Sequence, residues 1–293
     1  MARLFGLIGN RADLAGRVLA LEADPLRVHR SAKDAAGKDA GPLGWGVGFY
    51  QSGEVLMRRR PIDDRPDIDV AKNCADIRAD VMIGHVRMAT VGALRTENTH
   101  PFRYRQWLFA QTGTIPAFDS IRERLVASVP EFLRGDIRGE TDSEVLFHIF
   151  LSFLHDAGRL NDAGVTDKIV GDALRSTLQV VDQMSAEVGN AAAPLNMLVT
   201  NGDFIVAVRR GVENGDRSEG NVMAYRTVLG KNDSEMIIGD DPQLRRRSPD
   251  FASLRFVILA SDFDSEPPAR WKRIGERAVV TITRGDDPKI EPF

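Results

Sequence analysis

The chain has 39 Lys or Arg and 42 Asp or Glu side chains that could hold a charged ligand, but one cysteine and five histidines. Arg87 offers a planar guanidinium fork that matches a carboxylate. Asp142 stands at the start of a predicted helix, where its carboxylate can receive an ammonium group. One cation and one anion held close together are what an amino-acid head group requires. Taken singly, each has a plainer reading: Arg87 balances an internal acid, and Asp142 is a first-turn helix acid. The single cysteine, Cys74, shares helical spacing with Val70 and Ile77, which predicts a buried helix face. No activating base is visible beside it, so it reads as a packed thiol rather than a nucleophile. His29, His148 and His155 show no metal-ligand spacing and read as surface or packing residues; no metal and no cofactor is expected.

The elements that must position these residues are short apolar runs at both ends of the chain and helices in the middle. Ala2 to Ile8, Trp45 to Tyr50, Val81 to Arg87 and Trp107 to Ala110 read as strands. Thr141-Asp142-Ser143-Glu144 fits a capping box, followed by the apolar stripe Val145, Leu146, Ile149, Phe150, Phe153 and Leu154. Ile169, Ala173, Leu174, Leu178 and Val181 predict a second helix. Leu195 to Thr200 and Phe204 to Val208 flank Asn201-Gly202, a type I′ hairpin signal. Leu254 to Ala260 and Ala278 to Thr283 complete the strands. Several strands are apolar at nearly every residue, which predicts sheets covered on both faces. The polar stretch from about 212 to 250 predicts loops or an excursion from an otherwise single domain over 1–293.

Composition narrows the function class. Hydrophobic residues at 43% and charged residues at 28% predict a globular protein with ample core. A net charge of −3, with basic residues scattered rather than striped, gives no general attraction to nucleic acid. Arg245-Arg246-Arg247 sits in polar sequence and reads as a solvated loop. One cysteine excludes an internal disulfide and fits a reducing compartment. Arg3, Arg11 and Asp13 interrupt the apolar N-terminus, so no signal-peptide core is expected, and no run approaches a membrane span. The expectation is a cytoplasmic protein.

Five segments in order carry a family resemblance. Met1-Ala2-Arg3-Leu4-Phe5-Gly6 resembles the opening of a class II, N-terminal-nucleophile glutamine amidotransferase. Gly44-Trp45-Gly46-Val47-Gly48-Phe49-Tyr50 is similar to that family's Asp-Gly-Trp-Gly strand. Gly84-His85-Val86-Arg87-Met88-Ala89-Thr90, followed by Glu97-Asn98-Thr99-His100-Pro101-Phe102, resembles its central signature. Phe109-Ala110-Gln111-Thr112-Gly113-Thr114-Ile115 stands in the place of its oxyanion loop, and Gly139-Glu140-Thr141-Asp142-Ser143-Glu144 in that of the segment holding the substrate's amino group. Leu195-Asn196-Met197-Leu198 and Trp271 resemble the standalone branch, which includes γ-glutamyl hydrolases of ergothioneine synthesis and glutathione turnover. The resemblance spans essentially the whole chain, and no synthetase, isomerase or phosphoribosyltransferase domain is expected within it. It implies an α+β protein, a four-layer αββα sandwich of the Ntn-hydrolase fold. It also implies a small-molecule partner, a glutamine-type amino acid or γ-glutamyl compound. Arg87 and Asp142 would bind the head group, Thr90 and His100 would support the pocket wall, and the Gly113 backbone would belong to the oxyanion site.

Three departures from the family pattern bear on chemistry. The family removes its methionine, and the new terminal cysteine attacks the γ-amide with its own α-amino group as base. Ala2 has only a methyl group at that position and cannot act as a nucleophile. The family's His-Asn-Gly becomes Gln111-Thr112-Gly113, which loses an amide donor to the tetrahedral oxyanion. Leu43 stands where the family has an acid, so the departures are expected to cluster at the chemical centre.

Three readings follow. The first is a catalytically silent homologue that binds a γ-glutamyl compound or a protein partner. The second is an active γ-glutamyl amide hydrolase or glutaminase whose terminal cysteine has been exchanged for alanine. The third is a structural or regulatory subunit with a closed pocket. Natural loss of amidase activity accounts for all three departures, whereas exchange of the cysteine accounts for Ala2 alone.

Overall fold

Runs that are apolar at nearly every position form strands buried on both faces. The computed structural model describes residues 2–31, 41–88, 92–211, 222–263 and 266–293. The chain opens with β1 (Arg3–Gly9), α1 (Ala15–Leu21), α2 (Ala23–Leu26) and β2 (Val28–His29). There follow β3 (Leu43–Gln51), β4 (Glu54–Asp63), β5 (Asp67–Ile68), α3 (Val70–Asn73) and β6 (Val81–Arg87). After β7 (Phe102–Tyr104) and β8 (Trp107–Thr112) come α4 (Phe118–Ser128), α5 (Glu131–Arg134), α6 (Asp142–Asp156) and α7 (Asp167–Glu187). Next are β9 (Leu195–Thr200), β10 (Phe204–Arg210), β11 (Met223–Leu229), α8 (Gly230–Ile238) and α9 (Pro242–Arg246). Strands β12 (Arg255–Ser261), β13 (Lys272–Arg273), β14 (Arg277–Thr283) and β15 (Lys289–Pro292) end it.

The long strands assemble into two antiparallel sheets. One is seven-stranded in the order β13-β11-β12-β1-β6-β3-β4, and the other six-stranded in the order β15-β14-β10-β9-β8-β7. Leu4 and Ile83 of the first sheet meet Leu108, Leu198 and Ile205 of the second in a shared inner core. The outer face of the first sheet packs α1, α3 and α8 through Val18, Val70 and Ile237. The outer face of the second packs α4, α6 and α7 through Ile121, Phe147, Phe150 and Leu174. Three stacked cores make four layers, the αββα sandwich. Each fully buried Leu or Phe contributes roughly 1.5–3 kcal/mol, so burial in these three cores stabilises the layers.

Several local expectations need correction. Of the stretch expected to be loops or an excursion from about 212 to 250, residues 212–221 lie outside the described residues, and the rest contributes β11, a strand inside the seven-stranded sheet, and then α8 and α9. Its charge hides the strand: Arg226 is half-buried but pairs with Asp233 and Glu22. Arg245 and Arg246 lie in the last turn of α9, capped by Asp241, rather than in a loop. At Asn201-Gly202 only Gly202 has positive φ, so the connection is not type I′. Instead the Asn201 side chain accepts from the Asp203 amide and Thr200 Oγ1 accepts from the Gly202 amide, widening the turn. Cys74 is buried as expected, at the end of the single-turn α3, and desolvation pushes its thiol up to about 12. Among the described residues, no helix is long and apolar enough to cross a membrane.

Candidate functional site

Antiparallel pairing fixes which residues meet at one end of the sandwich. Arg3 pairs with Val86, so the start of β1 lies beside the end of β6 and brings Ala2 near Arg87. Phe5 pairs with Ala260, which places the end of β12, and hence Asp262, at the same end. From the second sheet, β8 ends there with Thr112 paired to Asn196. The start of α6 adds Thr141, Asp142 and Ser143.

These ends enclose a cleft of about 280 Å³. Ala2, Arg87, His100, Thr112, Gly113 and Asp142 all line it, so six of the seven sequence-derived site residues come together. Thr90 lies outside the described residues. Leu43 is a correction to the expected clustering of departures. It is 1% exposed in the core beneath the outer helices and does not line the cleft. Opposite it in the β3–β4 register stands Asp63, which accepts from Trp45 Nε1 at 3.0 Å. The carboxylate near the Gly-Trp-Gly strand therefore comes from β4. Arg65 holds Asp63 down at about 2. The glycines of that strand have a spatial reason. A side chain at Gly46 would come within 2.2 Å of the His100 carbonyl oxygen, so only glycine lets the His100 segment lie across β3.

Asp142 opens α6. Its Oδ2 accepts from the Ile115 amide at 2.8 Å and its Oδ1 from the Ser143 amide at 2.9 Å. Burial nonetheless pushes its carboxyl above the usual range. The capping box is only half made. Thr141 Oγ1 accepts from the Glu144 amide at 3.3 Å, while the Glu144 carboxylate takes the amides of Arg138 and Gly139 at 3.0 and 2.6 Å. Arg87 donates to the carbonyls of Gly92 and Ala93 at 3.0 and 3.1 Å, anchoring the segment that follows β6. Burial lowers its pKa and the charge of Asp142 raises it, so cation and anion feel each other across the cleft.

The oxyanion loop is tied to the start of α6. Gln111 Nε2 donates to the Gly113 carbonyl at 2.8 Å, and its Oε1 accepts from Ser143 Oγ. Gly113 has φ +102°, and a Cβ there would lie 2.4 Å from the Pro194 carbonyl oxygen, so glycine is required. Thr112 Oγ1 donates to Asp262 Oδ2 at 2.8 Å, and Ser261 Oγ donates to the same oxygen. Burial pushes the Asp262 carboxyl up despite these donors and the nearby Arg3. Sequence reading missed Asp262. It follows an apolar strand at a non-glycine positive φ of 56°, and only the β1–β12 pairing brings it to the cleft.

His85 and His100 form the back wall, with ring centroids 4.5 Å apart, and both line the cleft. Their ring nitrogens have no hydrogen-bond partner among the described residues. Burial first, then neighbouring charge, pushes His85 down to about 3 and His100 well below its ordinary value. Burial therefore disfavours the charged form of both rings. Among the described residues, no group of three His, Cys, Asp or Glu side chains is arranged to hold a metal.

Residues 12–284 match the family described as class II glutamine amidotransferases. The chain belongs to that family. It is 26% identical over 273 residues to an isomerizing glutamine–fructose-6-phosphate aminotransferase of Mycobacterium leprae, covering 89% of this chain. It is 32% identical over 114 residues to the putative glutamine amidotransferase YafJ of Escherichia coli, covering 36% of this chain. The chain spans 37% of the first of these relatives and 39% of the second. Among solved structures, a glutamine aminotransferase class-II domain protein from Silicibacter pomeroyi superposes with a TM-score of 0.59 at 16% identity, covering 99% of each chain. That likeness carries the amidotransferase fold, and the chemistry has to be argued from this chain's own cleft.

Proposed function

We propose that this class II glutamine amidotransferase-like chain is catalytically silent and keeps a pocket for a glutamine-type amino acid or γ-glutamyl compound. The observation that carries the reading is Ala2, a methyl group lining the cleft that Arg87 and Asp142 also line. In this reading, the α-carboxylate of the ligand takes the Arg87 fork and its α-ammonium meets Asp142. The γ-carbonyl then extends toward Ala2, where no atom can attack it. Thr112 supports the same conclusion, because its hydroxyl is already donated to Asp262. A developing oxyanion there would face a carboxylate rather than an amide donor. The open volume of about 280 Å³ favours a ligand-binding role over a filled pocket. A cytoplasmic protein that handles a small metabolite, or reports it to a protein partner, fits this reading.

Binding is expected to be measurable in the absence of turnover. Titration calorimetry with millimolar glutamine and a γ-glutamyl dipeptide should give saturable heat, and thermal melting should shift upward with ligand by mass action. No heat and no shift with glutamine, glutamate or γ-glutamyl peptides would remove the ligand-binding role and favour a structural subunit.

A further inference from the structure

A second cleft, of about 570 Å³, shares a wall with the first. Asp142 and Ser143 line one cleft, while Glu144 and His148, further along α6, line the other. Arg59, Arg103, Arg105 and Arg138 surround this second cleft. Several other surface arginines pair with acids, as Arg58 does with Asp76 at 2.7 Å and Arg65 with Asp63 at 2.6 Å. Among the described residues, none of the four arginines around the second cleft is in ion-pair contact with an acid, although the charges of Glu97 and Glu144 act on Arg59. Their hydrogen bonds instead go to neutral oxygens: Arg59 to the Thr99 carbonyl, Arg103 to the Arg105 and Val55 carbonyls, and Arg105 to Asn161 Oδ1. Glu97, Asp136 and Glu144 also line the cleft, and the Glu144 carboxylate is occupied by the Arg138 and Gly139 amides.

The cleft also holds an unmet buried group. His148 is 3% exposed, and its Nδ1 lies 2.8 Å from the Glu144 carbonyl oxygen. A carbonyl only accepts, so Nδ1 carries the proton and Nε2 presents a lone pair. That Nε2 is buried and has no hydrogen-bond partner among the described residues. A ligand suited to this cleft therefore brings negatively charged oxygens for guanidinium forks and one O–H donor for His148.

We propose that the second cleft binds a protonated phosphate-type oxyanion, with the arginines taking its charged oxygens and its P–OH donating to His148 Nε2. Sulfate and simple ionised carboxylates without a hydroxyl group carry no O–H at neutral pH, so they satisfy the arginines alone. This site does not depend on the amino-acid cleft and stands or falls separately from it.

Titration calorimetry at low ionic strength and pH 7.5 with inorganic phosphate, sulfate and succinate tests the assignment. Phosphate is expected to bind at least tenfold more tightly than sulfate or succinate. The double variant Arg59→Gln, Arg138→Ser should lose at least tenfold in phosphate affinity. The exposed Arg138 side chain makes no hydrogen bond or ion pair among the described residues, so the single Arg138→Ser variant is expected to keep the fold and to show part of the loss. Arg58→Gln, at a paired surface arginine, should leave phosphate binding unchanged. No phosphate heat in the unaltered protein, unchanged affinity in the double variant, or equal affinity for phosphate and sulfate would each overturn the proposal.

Discussion

Ala2→Cys alone is expected to yield little hydrolysis of glutamine, and adding Thr112→Asn is expected to raise the rate of that protein by on the order of 10²–10³. A restored thiol can attack the γ-carbonyl, but the resulting oxyanion meets a site in which Thr112 donates to the buried Asp262. An asparagine side chain at position 112 supplies an amide donor, which matters only once a tetrahedral intermediate forms. Thr112→Asn by itself should therefore remain inactive, and the two changes should be strongly non-additive, as for residues acting as one catalytic unit. Rates of ammonia release from glutamine and of dipeptide hydrolysis by both single variants and the double variant give the cycle. Full turnover from Ala2→Cys alone would contradict natural loss of activity and identify a disabled copy of a working enzyme.

Arg87→Leu should weaken binding of glutamine or a γ-glutamyl dipeptide by about 1.5–3 kcal/mol, the worth of a charged hydrogen bond. Arg87→Lys keeps the charge but loses the planar fork, and should fall between the two. Arg87 also holds the Gly92 and Ala93 carbonyls, so melting curves of both variants separate lost binding from a loosened wall. The pH dependence has a definite sign. Burial raises the Asp142 carboxyl, and its ionised form is the one that receives the ammonium. Affinity should be full above that raised pKa and fall as pH drops through it, earlier than for an ordinary carboxylate. Calorimetry across the acid range checks this, and an affinity that stays flat to the ordinary carboxylate range would contradict Asp142 as the ammonium acceptor.

The parts of this structure legible in the sequence are those where local pattern and tertiary context agree. Strands β1, β6, β8 and β9 are buried along their whole length, so unbroken apolar runs announce them. Helices α6 and α7 carry periodic apolar stripes behind Thr caps at Thr141 and Thr166. Strand β4 was not legible, because as an edge strand it alternates exposed and partly buried residues and carries Arg58, Arg59 and Arg60. Strand β11 was hidden by Arg226, whose acidic partners Glu22 and Asp233 are distant or downstream in sequence. The cleft divides in the same way. Arg87, His100, Thr112, Gly113 and Asp142 lie in ordered motifs, whereas Asp262 reaches the cleft only through strand pairing. Leu43 shows the converse error, since a departure next to a motif in sequence is buried in a hydrophobic core in space.

The most direct test of catalytic silence is a steady-state glutaminase assay on the protein with Ala2 in place, with a Cys74→Ala variant alongside. The thiol of Cys74 is buried with its pKa pushed up to about 12, so it cannot substitute for the missing nucleophile. Glutamate and ammonia are expected to form no faster than in buffer with either protein, while the same preparations bind the amino acid. A rate well above buffer that persists in Cys74→Ala would contradict it and require a nucleophile other than residue 2 or the cysteine.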